Sequence, residues 1–149
     1  MKYINLGCGN SFDPLKFVEP KNRPKFCKPW GGLWGSPENS KFGWERWCEM
    51  EGFRIERNKE SRFKFTLDPD AKIYVINSIP DLLAVPYKIR KWEDEDLIDF
   101  EKMALEYDAI FLTVKGEQET RFSWESGMSL YGWDCESILV LKKEKIRGI

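Results

Sequence analysis

The chain has 149 residues, with 24 lysines and arginines against 25 acidic residues and no histidine. Cations spread evenly along a chain of net charge -1 supply no basic stripe to neutralise phosphates, which argues against a nucleic-acid partner. The lack of histidine excludes Ser-His and Cys-His nucleophiles and His-based catalytic zinc, and Cys8, Cys27, Cys48 and Cys135 form no CxxC pair, so no metal site is expected.

Apolar residues make up 42% of the sequence and aromatics 15%, a globular composition with more aromatic surface than packing usually uses. The length suits a single domain spanning 1–149. No apolar run reaches signal-peptide or membrane-spanning length, so a cytoplasmic protein with reduced thiols and no membrane partner is expected.

Lys2–Leu6 alternates as a short strand that ends in the glycine turn Gly7–Gly9. Five of the eight prolines fall between Pro14 and Pro37, which makes Asn10–Pro29 irregular. Gly31–Gly35 reads as a strand whose glycines admit a close neighbour. Ser36 and Pro37 read as N-cap and first residue of a helix over Glu38–Glu51, closed by Gly52.

Further on, Arg62–Leu67 and Lys72–Ile76 read as strands joined at Asp68-Pro69-Asp70 into a hairpin. Ser78 and Pro80-Asp81 open a short helix that stops before Pro86. The acidic run Glu93–Asp96 suits a solvated first helical turn, with Asp94 capping a helix whose apolar positions Leu97, Ile98, Phe100, Met103 and Ala104 run up to Tyr107. Ala109–Val114 reads as a buried strand with Gly116–Thr120 as its polar exit, Gly127–Trp133 mixes turn and strand signals, and Cys135–Leu141 is the clearest strand. Strands and helices in blocks predict an α+β class.

Two features suggest chemistry. Lys28–Cys48 holds four of the seven tryptophans among glycines, serines and a proline. Large rigid indoles beside Gly31, Gly32 and Gly35 suit the wall of a site for a flat ligand. Trp44, Trp47 and Cys48 also share a helical stripe. Trp47 fits that buried stripe, whereas Trp34 and Trp44 fit either a ligand wall or a core. The second feature is Asp134 and Glu136, which strand alternation places on one side before an apolar run, facing a cleft or plain solvent.

GGLWGSPENSKFGW, followed far downstream by CESILVLKKEKI, resembles the ADP-ribosyltransferase superfamily, including its poly-ADP-ribose polymerase-like branch. AKIYVINSIPDLL and EYDAIFLT resemble the family's central strands. The resemblance implies a split, mixed or antiparallel sheet flanked by a few helices, and mono-ADP-ribosyl transfer from NAD to a protein or other acceptor with release of nicotinamide. It places Gly32 and Trp34 at the family's Gly-x-aromatic motif, Ser36 or Ser40 at the serine that holds the carboxamide, and Trp44 at the second aromatic. It places Glu136 at the catalytic glutamate, with Asp134 orienting the acceptor, and Asn5 and Gly7 on the first strand.

That chemistry suits the residue types. Cleaving the nicotinamide–ribose bond develops positive charge on the sugar, which a carboxylate stabilises, while indoles and a serine hydroxyl give the leaving ring a planar slot. The first strand carries neither His nor Arg, unlike the family. The alternative is a nucleotide-binding or interaction module without turnover, such as an inhibitor encoded by a mobile element; an ordinary aromatic-rich domain without a cofactor ranks third.

Overall fold

The computed structural model describes residues 1–90 and 94–148. It has the mixed helix and strand content of an α+β protein, built on a mixed sheet. The chain lays down β1 (Tyr3–Leu6), β2 (Leu33–Pro37), helices α1 (Trp44–Glu51) and α2 (Ile55–Glu60), and then β3 (Arg62–Leu67). After β4 (Ile73–Ile76) and α3 (Ile79–Leu83) come the short strands β5 (Lys88–Arg90) and β6 (Asp96–Ile98), helix α4 (Phe100–Glu106), β7 (Ala109–Leu112) and α5 (Val114–Thr120). The chain closes with β8 (Ser137–Val140) and β9 (Ile146–Gly148).

Seven strands form one sheet in the order β4-β7-β8-β2-β1-β3-β9, and β5 pairs with β6 apart from it. Only β4 and β7 run parallel in the large sheet; its other pairings are antiparallel. All four residues of β8 are buried, because the sheet is covered on both faces. Leu139, opposite Trp34 and Ile110, faces a core with Ile76, Leu82, Phe100, Met103 and Trp133. Ile138 and Val140 face the other core, with Tyr3, Leu33, Phe63 and Phe65.

Four sequence expectations are corrected. The predicted hairpin of Arg62–Leu67 with Lys72–Ile76 does not form: β3 pairs with β1 and β9, and β4 lies beside β7. Asp68 and Asp70 bind Arg147 and Lys145 at 2.7 and 3.0 Å, so the C-terminal strand occupies the outer edge of β3. The helix read over Glu38–Glu51 starts only at Trp44, because Ser36 and Pro37 stay in β2 against Ile4 and Tyr3; its closure at left-handed Gly52 is as expected (φ 64°).

The third correction concerns Leu97 and Ile98, which lie in β6; α4 is capped by Asp99, which accepts from the Lys102 N–H. Asp94 has a left-handed φ of 61° and does not cap α4, and Glu93 lies outside the described residues. Fourth, the stretch read as a polar exit is α5, capped by the Thr113 side chain. Gly116 lets α5 press on β4, since a Cβ there would lie 2.1 Å from the Ile76 carbonyl oxygen. No helix among the described residues is long and apolar enough to cross a membrane.

Candidate active site

The ladder between β1 and β2 pairs Tyr3 with Pro37 and Ile4 with Ser36. Past that point the Asn5 side-chain amide donates to the Trp34 carbonyl at 2.8 Å. Beside it lies a cavity of about 290 Å³. Asn5, Leu6, Gly7 and Cys8 line it from the exit of β1, and Trp34, Ser36 and Trp44 from β2 and the start of α1. Arg54, Arg57 and Asn58 close it from α2 and its N-cap, while Trp133, Asp134, Cys135 and Ser137 approach from the lead into β8, joined by Lys28.

The aromatic walls are braced from behind. Trp34 meets buried Trp133 edge-on at 4.7 Å, the Trp133 indole N–H donates to the Cys27 carbonyl at 2.9 Å, and the Lys28 ammonium lies 5.5 Å from the centre of the Trp34 ring. Trp44 stacks on Trp47 at 4.8 Å, and Phe53 packs edge-on against both. Trp47 is half-buried in this stack, and Cys48 is the one buried residue of α1.

Ser36 ties the site together. Its hydroxyl accepts the Trp44 N–H at 2.8 Å and donates to the Glu136 carbonyl at 2.8 Å, so it holds the first residue of a helix that begins eight residues later. A hydroxyl has one proton, and that of Ser36 is spent on Glu136. Toward a ligand Ser36 keeps acceptor capacity alone, which suits an amide N–H. Ser40 donates to the Glu136 carboxylate and accepts the Phe42 N–H at 3.1 Å. Ser40 does not line the cavity, nor does Gly32, whose added Cβ would strike Leu139 Cδ1 at 2.4 Å.

The two carboxylates sit differently. Asp134 lines the cavity, 3.8 Å from Lys28 and 3.4 Å from Arg121, which also binds Glu117 at 3.1 Å. Glu136 lies between the lining residues Cys135 and Ser137 but does not line the cavity itself. Its side chain meets Ser40, and its charge adds to burial in raising the Tyr3 hydroxyl pKa. Alternation fails here because β8 begins at Ser137; upstream, the Glu136 N–H donates to the Phe42 carbonyl at 2.9 Å instead of to a sheet neighbour.

Of the residues singled out in the sequence, the cavity brings together Asn5, Gly7, Trp34, Ser36, Trp44 and Asp134. Sequence reasoning missed Cys8, Arg54, Arg57, Asn58 and Trp133; the i, i+3 spacing of Arg54 and Arg57 was the available signal. Burial pushes the Cys135 thiol up to about 12 and the Cys27 thiol up to about 11, so neither is a nucleophile at neutral pH. Among the described residues no group of His, Cys, Asp and Glu is placed to hold a metal ion. No family model, curated protein or solved structure matches this chain.

Proposed function

We propose that the protein is a mono-ADP-ribosyltransferase that uses NAD as its substrate and modifies a protein or other acceptor. The observation that carries this reading is the convergence on one cavity of two separate segments, Asn5 and Gly7 from the first strand and Trp34, Ser36 and Trp44 from the tryptophan-rich stretch. The indoles form the slot for the nicotinamide ring, and Ser36 accepts a hydrogen bond from its carboxamide. Glu136, half-buried between the lining residues Cys135 and Ser137, supplies the negative charge that favours the ribosyl cation. Asp134, on the lining, orients the acceptor.

The test is release of nicotinamide from NAD by the purified protein, with and without a lysate as acceptor source. Glu136→Gln is expected to lower release about a hundredfold while NAD binding persists, since the charge is felt mainly in the transition state. Asp134→Asn is expected to impair labelling of protein while sparing slow hydrolysis. Loss of hydrolysis in Asp134→Asn but not in Glu136→Gln would move the chemical step to the lining carboxylate.

A second reading, nucleotide binding without turnover, is favoured by the engagement of the Glu136 carboxylate by Ser40 away from the cavity. Saturable NAD binding without nicotinamide release would select it.

A further inference from the structure

Two features beside the cavity leave hydrogen-bonding capacity unused. Asn5 is 4% exposed, its amide is fixed by the Trp34 carbonyl, and its Oδ1 is buried with no hydrogen-bond partner. A buried acceptor left unmade is costly, and the residue that carries it lines the cavity. The second feature is a pair of arginines. Arg46, Arg62, Arg90, Arg121 and Arg147 each pair with a carboxylate and Arg23 lies over Phe26 and Trp30 away from the cavity, whereas Arg54 and Arg57 line the cavity and make no ion pair among the described residues.

Arg57 Nη2 donates to the Gly7 carbonyl at 2.8 Å, and the Arg54 guanidinium lies 4.8 Å from the centre of the Phe53 ring. Most of their N–H groups therefore remain for a ligand. Both side chains are exposed, as is Cys8, whereas Asn5, Ser36 and Trp133 are buried. The cavity lining thus includes buried residues and an exposed, cationic pair. Its 290 Å³ stands at the low limit of small-molecule sites, about 300–1,000 Å³. It has room for a ring and its sugar, and the rest of a larger ligand must lie beside that exposed pair.

We propose that Arg54 and Arg57 clamp the phosphate of a ring-bearing phosphate ester whose ring and sugar enter the cavity beside Trp34 and Trp44. Guanidinium forks match phosphate oxygens in pairs. Identifying that ester as NAD rests on the function proposed above; the clamp requires only the phosphate.

The experiment titrates the full chain with NAD, AMP, inorganic pyrophosphate and nicotinamide, following tryptophan fluorescence and melting temperature. The proteins compared are the parent, Arg54→Gln, the double variant with Arg57→Gln, and Arg23→Gln as an off-site control. Because Arg57 also holds Gly7, unliganded melting curves check folding, and Arg54→Gln alone carries the test if the double variant is unstable. Loss of about tenfold or more in affinity for the phosphate ligands, with nicotinamide binding and the Arg23 variant unchanged, is expected.

Equal NAD affinity in parent and folded variants overturns the clamp and leaves the NAD reading intact. Arginine-dependent binding of AMP or pyrophosphate without NAD binding keeps the clamp and removes the NAD reading. No binding of any phosphate ligand removes both.

Discussion

Ser36 shows how much one hydroxyl can organise. By accepting from Trp44 and donating to Glu136, it fixes a tryptophan wall and the approach to β8 with one side chain. The sequence marked Ser36 through its neighbour Pro37 as a local helix cap; the residue lies in β2 instead, the N-cap is Gly43, and Ser36 reaches the Trp44 N–H across a loop that local rules do not span. Trp34 and Trp44 stood out because indoles and glycines cluster visibly in a sequence, and Asn5 through the family resemblance of the first strand. Arg54 and Arg57 did not, because an exposed arginine acquires meaning only when α2 folds back against the exit of β1.

A second residue gives a pH signature. Asp108, with a side chain 8% exposed, binds the Lys142 ammonium at 2.9 Å and accepts the Lys72 N–H at 2.8 Å. Burial opposes its charged form, but the Lys72 N–H and Lys142 together hold its carboxyl below the usual range. A depressed folded pKa contributes stability above the ordinary aspartate value of about 3.9 and loses it as pH falls through the lower folded value. Asp108→Asn should therefore cost about 1.5–3 kcal/mol at neutral pH, and much less near pH 2. Urea midpoints of parent and variant across that range check it; a constant difference would contradict the assignment.

Among the elements, α5 depends most on a single position. Its backbone meets β4 at Gly116, where a methyl group would overlap the Ile76 carbonyl and approach Leu112 Cδ1 at 3.0 Å. Gly116→Ala should therefore destabilise the fold by about 1–3 kcal/mol or more, despite the higher helix propensity of alanine. Melting of this variant beside Gly127→Ala, where nothing lies within 4 Å but φ is left-handed at 95°, separates collision from backbone strain. A rise in stability in Gly116→Ala would show that α5 can stand off the sheet. The propensity signals that place alanine above glycine in a helix are blind to this contact, just as the helical period of Leu97 and Ile98 was blind to β5.

For the whole molecule, the decisive strand is β8. It lies between β7 and β2, so it joins the β4-β7 pair to the strands that carry the cavity. The apolar run of residues 138–141 was legible because burial on both faces demands it; its neighbours were not, since nothing in a short apolar run says which strand lies beside it. Removing residues 137–148 should leave two unjoined groups of strands and abolish cooperative unfolding, as read by circular dichroism in urea. A truncated chain that unfolds in one sharp transition would show that the halves adhere without β8.

The order of synthesis follows from the same strand. The walls of the cavity from Asn5 to Asn58 leave the ribosome before Trp133–Ser137 and the β8 strand that seats them. Pairing across so long a separation is slow to form. The growing polypeptide therefore has no finished cavity until β8 has emerged and paired between β7 and β2.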